Sequence, residues 1–460
     1  MAVAAFATLC VLVLTKATAM LEPDDYAYLA SIVGLSHGEI LLTTAQYHAL
    51  SHLLGDGGQS IPQWVHLADG RWISQKNPGY QFLAVPFYLV GGSVGLRMAP
   101  LFYGALACGA LFLGARRWLG RWGGSAAVLL YCTSGAALTF AWRPTMETFT
   151  DASLVAAGAG LLLWAMLAVD SPARRRLVAG VAAFVALGLA TVTRYTDVLE
   201  MGVAVLIVVA FARRAQLRRT TMAAWLGVVA GFGVLVVCFD TVVYGGPFAT
   251  GYTSGLITFS PSAILPNLAH LPLDLVEVMP MALVGVAAVV WIAVRVLAAK
   301  WKPAATHLWT LPERYQDAAV GGALALGWAA IWVLYLAYNW TVNQRVGSDP
   351  LHVVRFYLPT LGLIALLGAW AMVRFPVAVW VGVGSALLGF GIASFHVMSA
   401  AGGPGGGLGG GPGGGLGGGG LGGGLGSRDG ARGGLLPGGN SLGGNGAASR
   451  PGPFPRGPAG

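Results

Sequence analysis

From Val3 to Val397 the chain is a succession of apolar runs of about 17–25 residues, separated by short polar breaks. As a helix, a run of that length crosses a hydrocarbon layer about 30 Å thick with its backbone hydrogen bonds satisfied internally. Composition closes the soluble alternative. Only 10% of the 460 residues are charged and 56% are hydrophobic, where a soluble domain carries about 25% charged residues. Too few charges remain to cover a water-facing surface, so lipid must cover much of it. The fold class that follows is all-α: a polytopic transmembrane bundle of about eleven spans.

The net charge of +9 has a positional explanation. Arg and Lys sit in clusters between the apolar runs: Arg116, Arg117 and Arg121; Arg174 to Arg176; Arg213, Arg214, Arg218 and Arg219; and Arg295, Lys300 and Lys302. Such clusters mark cytoplasmic loops. No basic face with base-stacking aromatics accompanies them, which excludes nucleic acid as a partner and leaves membrane lipids. With the clusters inside, a first helix over 3–20 is followed by spans near 98–115, 123–141, 152–169, 177–193, 198–212, 221–243, 276–297, 319–338, 356–373 and 376–398. The Ala17-Thr18-Ala19 stretch resembles a cleavage site, but no positive residue precedes the apolar run, so an uncleaved first helix is expected.

This topology makes 21–97 a long first extracytoplasmic loop of juxtamembrane helices. Within it Tyr80 to Gly95, with Pro86 and Gly91-Gly92, is expected to lie along the interface or re-enter. The external segments collect Glu22, Asp24, Asp25, Glu147, Asp151, Asp197, Asp274, Glu277 and Asp349, although acids were not used to set the topology. After the 1–398 membrane domain, 399–460 is a Gly/Pro-rich stretch expected to be a disordered tail. Cys10, Cys108, Cys132 and Cys238 all fall within apolar runs and match no metal motif, so they are expected to be packing residues.

Six polar segments on the external face carry the chemistry. Glu22-Pro23-Asp24-Asp25 follows the first helix; its acids suit either a helix N-terminus or a reaction. Lys76 precedes the Asn77-Pro78-Gly79-Tyr80 turn and is either a snorkelling lysine or a cation at headgroup level. Trp142-Arg143-Pro144 leads to Glu147 and Asp151, and in Thr193-Arg194-Tyr195-Thr196-Asp197 the Arg and Asp are close enough to pair. Gly245 to Tyr252 is a turn-rich loop, and Asn343 to Pro359 carries Arg345, Asp349, His352 and Arg355. Their shared face brings acids and cations to the headgroup level. Arg grips phosphate oxygens bidentately, cations stabilise a departing phosphate, and a carboxylate accepts the proton of an attacking hydroxyl.

The ordered set resembles the GT-C membrane glycosyltransferases, which include protein O-mannosyltransferases and the aminoarabinose transferases of lipid A. It consists of Asp24-Asp25 with Tyr28, DGRW at 69–72, Lys76 to Tyr80, Asp151, TRYT at 193–196, GGPFATGY at 245–252 and RFYLP at 355–359. The resemblance covers about 1–398. It implies transfer of a sugar, usually with inversion, from a polyprenyl-phosphate donor to a glycan, lipid or protein acceptor at the extracytoplasmic face of a multi-pass cell-membrane protein. It places a general base at Asp24, with Asp25 beside it. Substrate-binding positions follow at Lys76, Tyr80, Asp151, Arg194, Tyr252 and Arg355. Two departures, Asp-Asp for the usual Asp-Glu and Asn77-Pro78 for Pro-Pro, leave the acceptor open. The spacing of Asp24, Asp25, Asp151 and His352 forms no recognisable metal motif, which leaves a divalent metal undecided. A lipid or solute transporter is the rival, but it requires ionisable residues along a mid-membrane path, and the spans are nearly free of them. A catalytically silent homologue is the third reading. The alanine- and glycine-rich composition, with a pI of about 9.6, points to a GC-rich bacterial genome, so the cell membrane expected here is a bacterial plasma membrane.

Overall fold

The computed structural model describes residues 2–15, 23–54, 61–252, 258–298, 313–343 and 353–401. Glu22, Lys300, Lys302, Arg345, Asp349, His352 and residues 402–460 of the expected tail lie outside them. The chain divides into two units, Met1–Leu416 and Gly417–Gly460, the second wholly outside the described residues.

The first unit is helical. Its principal elements are α1 (Ala2–Thr15), α2 (Pro23–Ser36), α3 (Thr44–Leu54), strands β1 (Trp64–His66) and β2 (Trp72–Ser74), α4 (Gly79–Leu96), α5 (Met98–Cys132), α6 (Gly135–Ala141), α7 (Thr148–Leu167), α8 (Ala173–Thr193), α9 (Val198–Phe211), α10 (Arg219–Tyr244), α11 (Ile264–Leu268), α12 (Leu271–Val278), α13 (Met281–Ala298), α14 (Glu313–Leu336), α15 (Asn339–Asn343), α16 (Leu361–Arg374) and α17 (Pro376–Ala401). Among the described residues six helices are long and apolar enough to cross a membrane. A seventh joins them if Leu271–Val278 and Met281–Leu297, bent by 111°, form one span. Ala2–Thr15 and Leu358–Arg374 are apolar but shorter.

Part of the difference from eleven expected spans lies in α5. Its 35 residues contain a break at Gly120 (φ 79°, ψ −177°), a left-handed conformation that glycine adopts without a Cβ penalty. Cys108 and Cys132, which a straight helix would hold about 36 Å apart, approach to 3.3 Å between sulfurs. The element is therefore two arms folded back on each other, covering the expected spans 98–115 and most of 123–141. The arms pack on α7, where a Cβ on Gly114 would come within 2.4 Å of the Gly160 carbonyl oxygen. Small residues let the two backbones touch, the mode of packing that substitutes for hydrophobic drive in lipid.

The main core joins α1, α5, α6, α7, α13, α14 and α16 around Trp142, Phe140, Phe149, Tyr357 and Trp370. A second cluster holds α7 to α10 together around Phe184 and Trp225. A third, with Tyr28, Tyr47, Trp64 and Tyr80, organises the first loop. Beside the juxtamembrane helices expected there, β1 and β2 pair antiparallel with Trp64 opposite Ser74 and His66 opposite Trp72. Asp69-Gly70 turns the hairpin: Gly70 has φ +84°, and the Asp69 carboxylate accepts the Arg71 backbone N–H at 3.0 Å. α4 is likewise broken at Gly91-Gly92 and is not among the six spans.

The two ends of the bundle differ in chemistry. At one end, Arg117 pairs with Asp170 and donates to the Leu167 carbonyl, and Asp317 takes both Arg374 (3.2 Å) and the Trp118 indole N–H (3.1 Å). Arg176 donates to the Ala165 carbonyl at 3.0 Å and to the Ala215 carbonyl at 2.6 Å. The other end, at the N-termini of α7 and α16 and the C-termini of α8 and α14, holds the acids and arginines described next.

Candidate functional site

Asp24 and Asp25 stand in the first turn of α2, where the helix dipole favours negative charge. Consecutive residues on a helix point about 100° apart, so the two acids have different surroundings. Asp24 lines a cavity of about 600 Å³. Its Oδ1 receives the Lys76 ammonium at 2.9 Å and the Gln63 amide, and its Oδ2 receives the Arg355 guanidinium at 2.8 Å. Burial alone would raise the Asp24 carboxyl, but Arg355 and Lys76, with hydrogen bonds from Lys76 and Gln63, hold it well below the usual carboxylate range. Lys76 answers in the opposite sense: burial would lower it, and Asp24 above all keeps it raised. It is 9% exposed, so it is a buried ion-pair partner rather than a snorkelling side chain.

Lys76 reaches this position because Pro78-Gly79 packs directly on the end of α8. A Cβ on Gly79 would lie 2.5 Å from both Thr193 N and Val192 C, so only glycine permits the approach. The ammonium lies 5.7 Å from the Tyr28 ring and 5.9 Å from that of Tyr252. Burial pushes the Tyr28 phenol well above its ordinary value, which keeps it neutral.

Arg194, just past α8, is the hub of the opposite wall. It donates to Glu147 Oε1 at 2.8 Å and to the Arg355 carbonyl at 3.1 Å, and its Nε lies 3.4 Å from Asp151 Oδ2. The Arg355 guanidinium stacks on Phe356 (4.9 Å) and Trp340 (5.4 Å). Tyr335, Tyr338 and Phe259 extend this aromatic wall. The cavity thus gathers three cations, two carboxylates and an aromatic surface from segments more than three hundred residues apart in sequence, Asp24 and Arg355 being the extremes.

Of the eight residues singled out from sequence, Asp24, Lys76, Arg194, Tyr252 and Arg355 line the cavity. The other three do not line it. Asp25 is fully buried and turned away from the cavity, bound by Arg143 and by the Thr145 hydroxyl at 2.6 Å. Tyr80 is fully buried, with its hydroxyl donated to the Pro144 carbonyl and its ring edge against Tyr28. Asp151 is fully buried beneath Arg194 and does not line the cavity. Glu147, named in one of the six polar segments, was not carried among the binding positions, and Gln63 and the aromatics of α14 and α15 were not singled out. The aromatics are indistinguishable in sequence from an interfacial belt. Among the described residues no group of three His, Cys, Asp or Glu side chains is arranged to hold a metal ion.

Neither a protein-family model nor a curated protein matches the chain. Solved structures do. The chain is similar to ArnT from Cupriavidus metallidurans bound to undecaprenyl phosphate, with a TM-score of 0.50 at 16% identity, covering 87% of this chain and 72% of that one. It is also similar to the Archaeoglobus fulgidus oligosaccharyltransferase in its apo form (TM-score 0.53, 13% identity, 88% of this chain and 56% of that one). The archaeal oligosaccharyltransferase AglB from Archaeoglobus fulgidus, in complex with an inhibitory peptide and a dolichol-phosphate, gives 0.52 at 14% identity, again over 88% and 56%. The chain therefore spans little more than half the oligosaccharyltransferase. At these identities the likeness is one of architecture: the chain shares the fold of ArnT and of the oligosaccharyltransferase.

Proposed function

We propose that the chain transfers a sugar from a polyprenyl-phosphate donor to an acceptor hydroxyl at the extracytoplasmic membrane face, with inversion and with Asp24 as general base. The observation that carries this reading is the cavity itself, in which two carboxylates and three cations converge at one end of an apolar bundle. The acceptor oxygen attacks the anomeric carbon as the bond from that carbon to the phosphate oxygen breaks. The hydroxyl proton passes to Asp24, and the electron pair leaves with the polyprenyl phosphate. Lys76, Arg194 and Arg355 stabilise the charge that develops on that phosphate. Tyr252 and the aromatic wall offer flat faces to sugar or prenyl groups.

In the ligand-free arrangement Asp24 is a weak base, because Lys76 and Arg355 both stabilise its ionised form. An arriving phosphate competes for the same two cations. As they turn toward it, Asp24 loses their stabilisation and becomes more basic. Donor binding thereby activates the base.

The test is transfer of radiolabelled sugar from polyprenyl-phosphate donors by membranes carrying the protein, compared with Asp24→Ala. Label reaching an acceptor with wild type alone supports enzyme class and base together. Transfer by folded Asp24→Ala at the wild-type rate removes Asp24 as base, and no transfer by folded wild type from any donor removes the transferase reading.

A further inference from the structure

Beneath Arg194 lie two acids for which the proposed reaction has no direct use. Asp151 is in the first turn of α7, and Asp197 ends the short turn Tyr195–Asp197 between α8 and α9. Both are 0% exposed. Their carboxyl groups face each other, and among the described residues no side chain donates a hydrogen bond to any of their four oxygens, the nearest donor being Arg194 Nε at 3.4 Å from Asp151 Oδ2. Two ionised carboxylates are acceptors only, so such a contact repels unless a proton lies between them. One proton turns it into a charge-assisted O–H···O bond.

The surroundings point the same way. Glu147 faces the pair from the start of α7, Glu200 from α9, Tyr131 from α5 and Tyr335 from α14, and the one cation in this set is Arg194. Glu200 Oε1 also lacks a donor. A single guanidinium thus faces three carboxyl groups, Glu147, Asp151 and Asp197, with Glu200 against Asp197 as a fourth acid. Burial additionally holds Asp197 above the ordinary carboxyl range.

We propose that Asp151 and Asp197 share one proton and act as a single monoanionic partner that positions Arg194 toward the cavity. The positioning role rests on the reading of Arg194 as a donor-phosphate contact; the shared proton does not. When the proton is lost, the dianionic pair adds a negative charge behind Arg194 and draws the guanidinium away from the phosphate. Binding of the phosphate then weakens about tenfold per pH unit above the deprotonation of the pair.

Infrared spectra of the purified full chain, wild type minus Asp197→Asn at neutral pH, test the proton directly. The Asn amide supplies the hydrogen bond, so Asp151 ionises. The expected result is a protonated-carboxyl C=O band in wild type that the variant lacks and that shifts in D2O. Thermal stabilisation by undecaprenyl phosphate across pH tests the positioning. Wild type should lose affinity on the alkaline side with a one-proton slope that Asp197→Asn does not show. Asp197→Leu, which removes the hydrogen bond as well, should bind at least tenfold more weakly than Asp197→Asn. Absence of the infrared difference, or the same alkaline limb in wild type and Asp197→Asn, overturns the proposal. If undecaprenyl phosphate fails to bind folded wild type, the donor reading of the cavity falls, and the infrared band still decides the shared proton.

Discussion

Replacing Asp24 by Asn separates binding from chemistry in opposite directions. The side chain keeps its shape and loses its charge. Lys76 and Arg355, 9% and 7% exposed, are left without their carboxylate. Removing one partner from a buried ion pair costs about 3–5 kcal/mol of stability. The cavity changes from three cations facing Asp24 and Glu147 to three cations facing Glu147 alone. Unit charges about 4 Å apart interact by about 4 kcal/mol at an effective dielectric of about 20. Reorganisation of the two long side chains takes back part of that, leaving about 1.4–2.8 kcal/mol, or roughly ten- to hundredfold, in favour of an incoming phosphate. The variant should therefore melt lower than wild type, be stabilised more by undecaprenyl phosphate, and transfer sugar about 10²–10⁴-fold more slowly, the range for loss of a general base. Thermal unfolding with and without the lipid, beside the radiolabel assay, reads all three. Weaker lipid binding by the variant would refute the idea that Asp24 competes with phosphate for its cations.

Other outcomes follow from the same geometry. Because the folded value of Asp24 lies below its unfolded value of about 3.9, its ion pairs contribute fully above about pH 4, and that contribution is lost as pH falls through the folded value. The stability gap between wild type and Asp24→Asn should hold constant from about pH 7 to about pH 4 and narrow below it; a gap closing between about pH 7 and 5 contradicts this. Asp25→Ala should cost about 3–5 kcal/mol by stranding Arg143, seen as a lowered melting temperature, while the folded fraction keeps its affinity for undecaprenyl phosphate. Gly79→Ala should cost about 1–3 kcal/mol, since its Cβ meets backbone that cannot turn aside; unchanged melting would show that the Pro78-Gly79 turn shifts freely on α8.

Membrane residence, helical architecture and the convergence of acids and cations at one end are local properties. Each apolar run states its own length, and each basic cluster its own end, so the sequence was sufficient for these. It also pointed to Asp24, Lys76, Arg194, Tyr252 and Arg355, because turn residues and charges at headgroup level are legible one segment at a time. Which of two adjacent acids faces the cavity was not legible from the residues themselves, and only the family resemblance singled out Asp24. Asp24 and Asp25 are chemically alike, and only the packing of α2 gives one to Lys76 and Arg355 and the other to Arg143 and Thr145. The same holds for Asp151, which lies against Arg194 and does not line the cavity. The hinge that makes two arms of α5 depends on one positive φ at Gly120, among many glycines that keep helical geometry. Charge type and apolar length belong to single residues and runs. The partner of a buried charge is a pairwise, long-range fact, set when segments such as 24 and 355 meet.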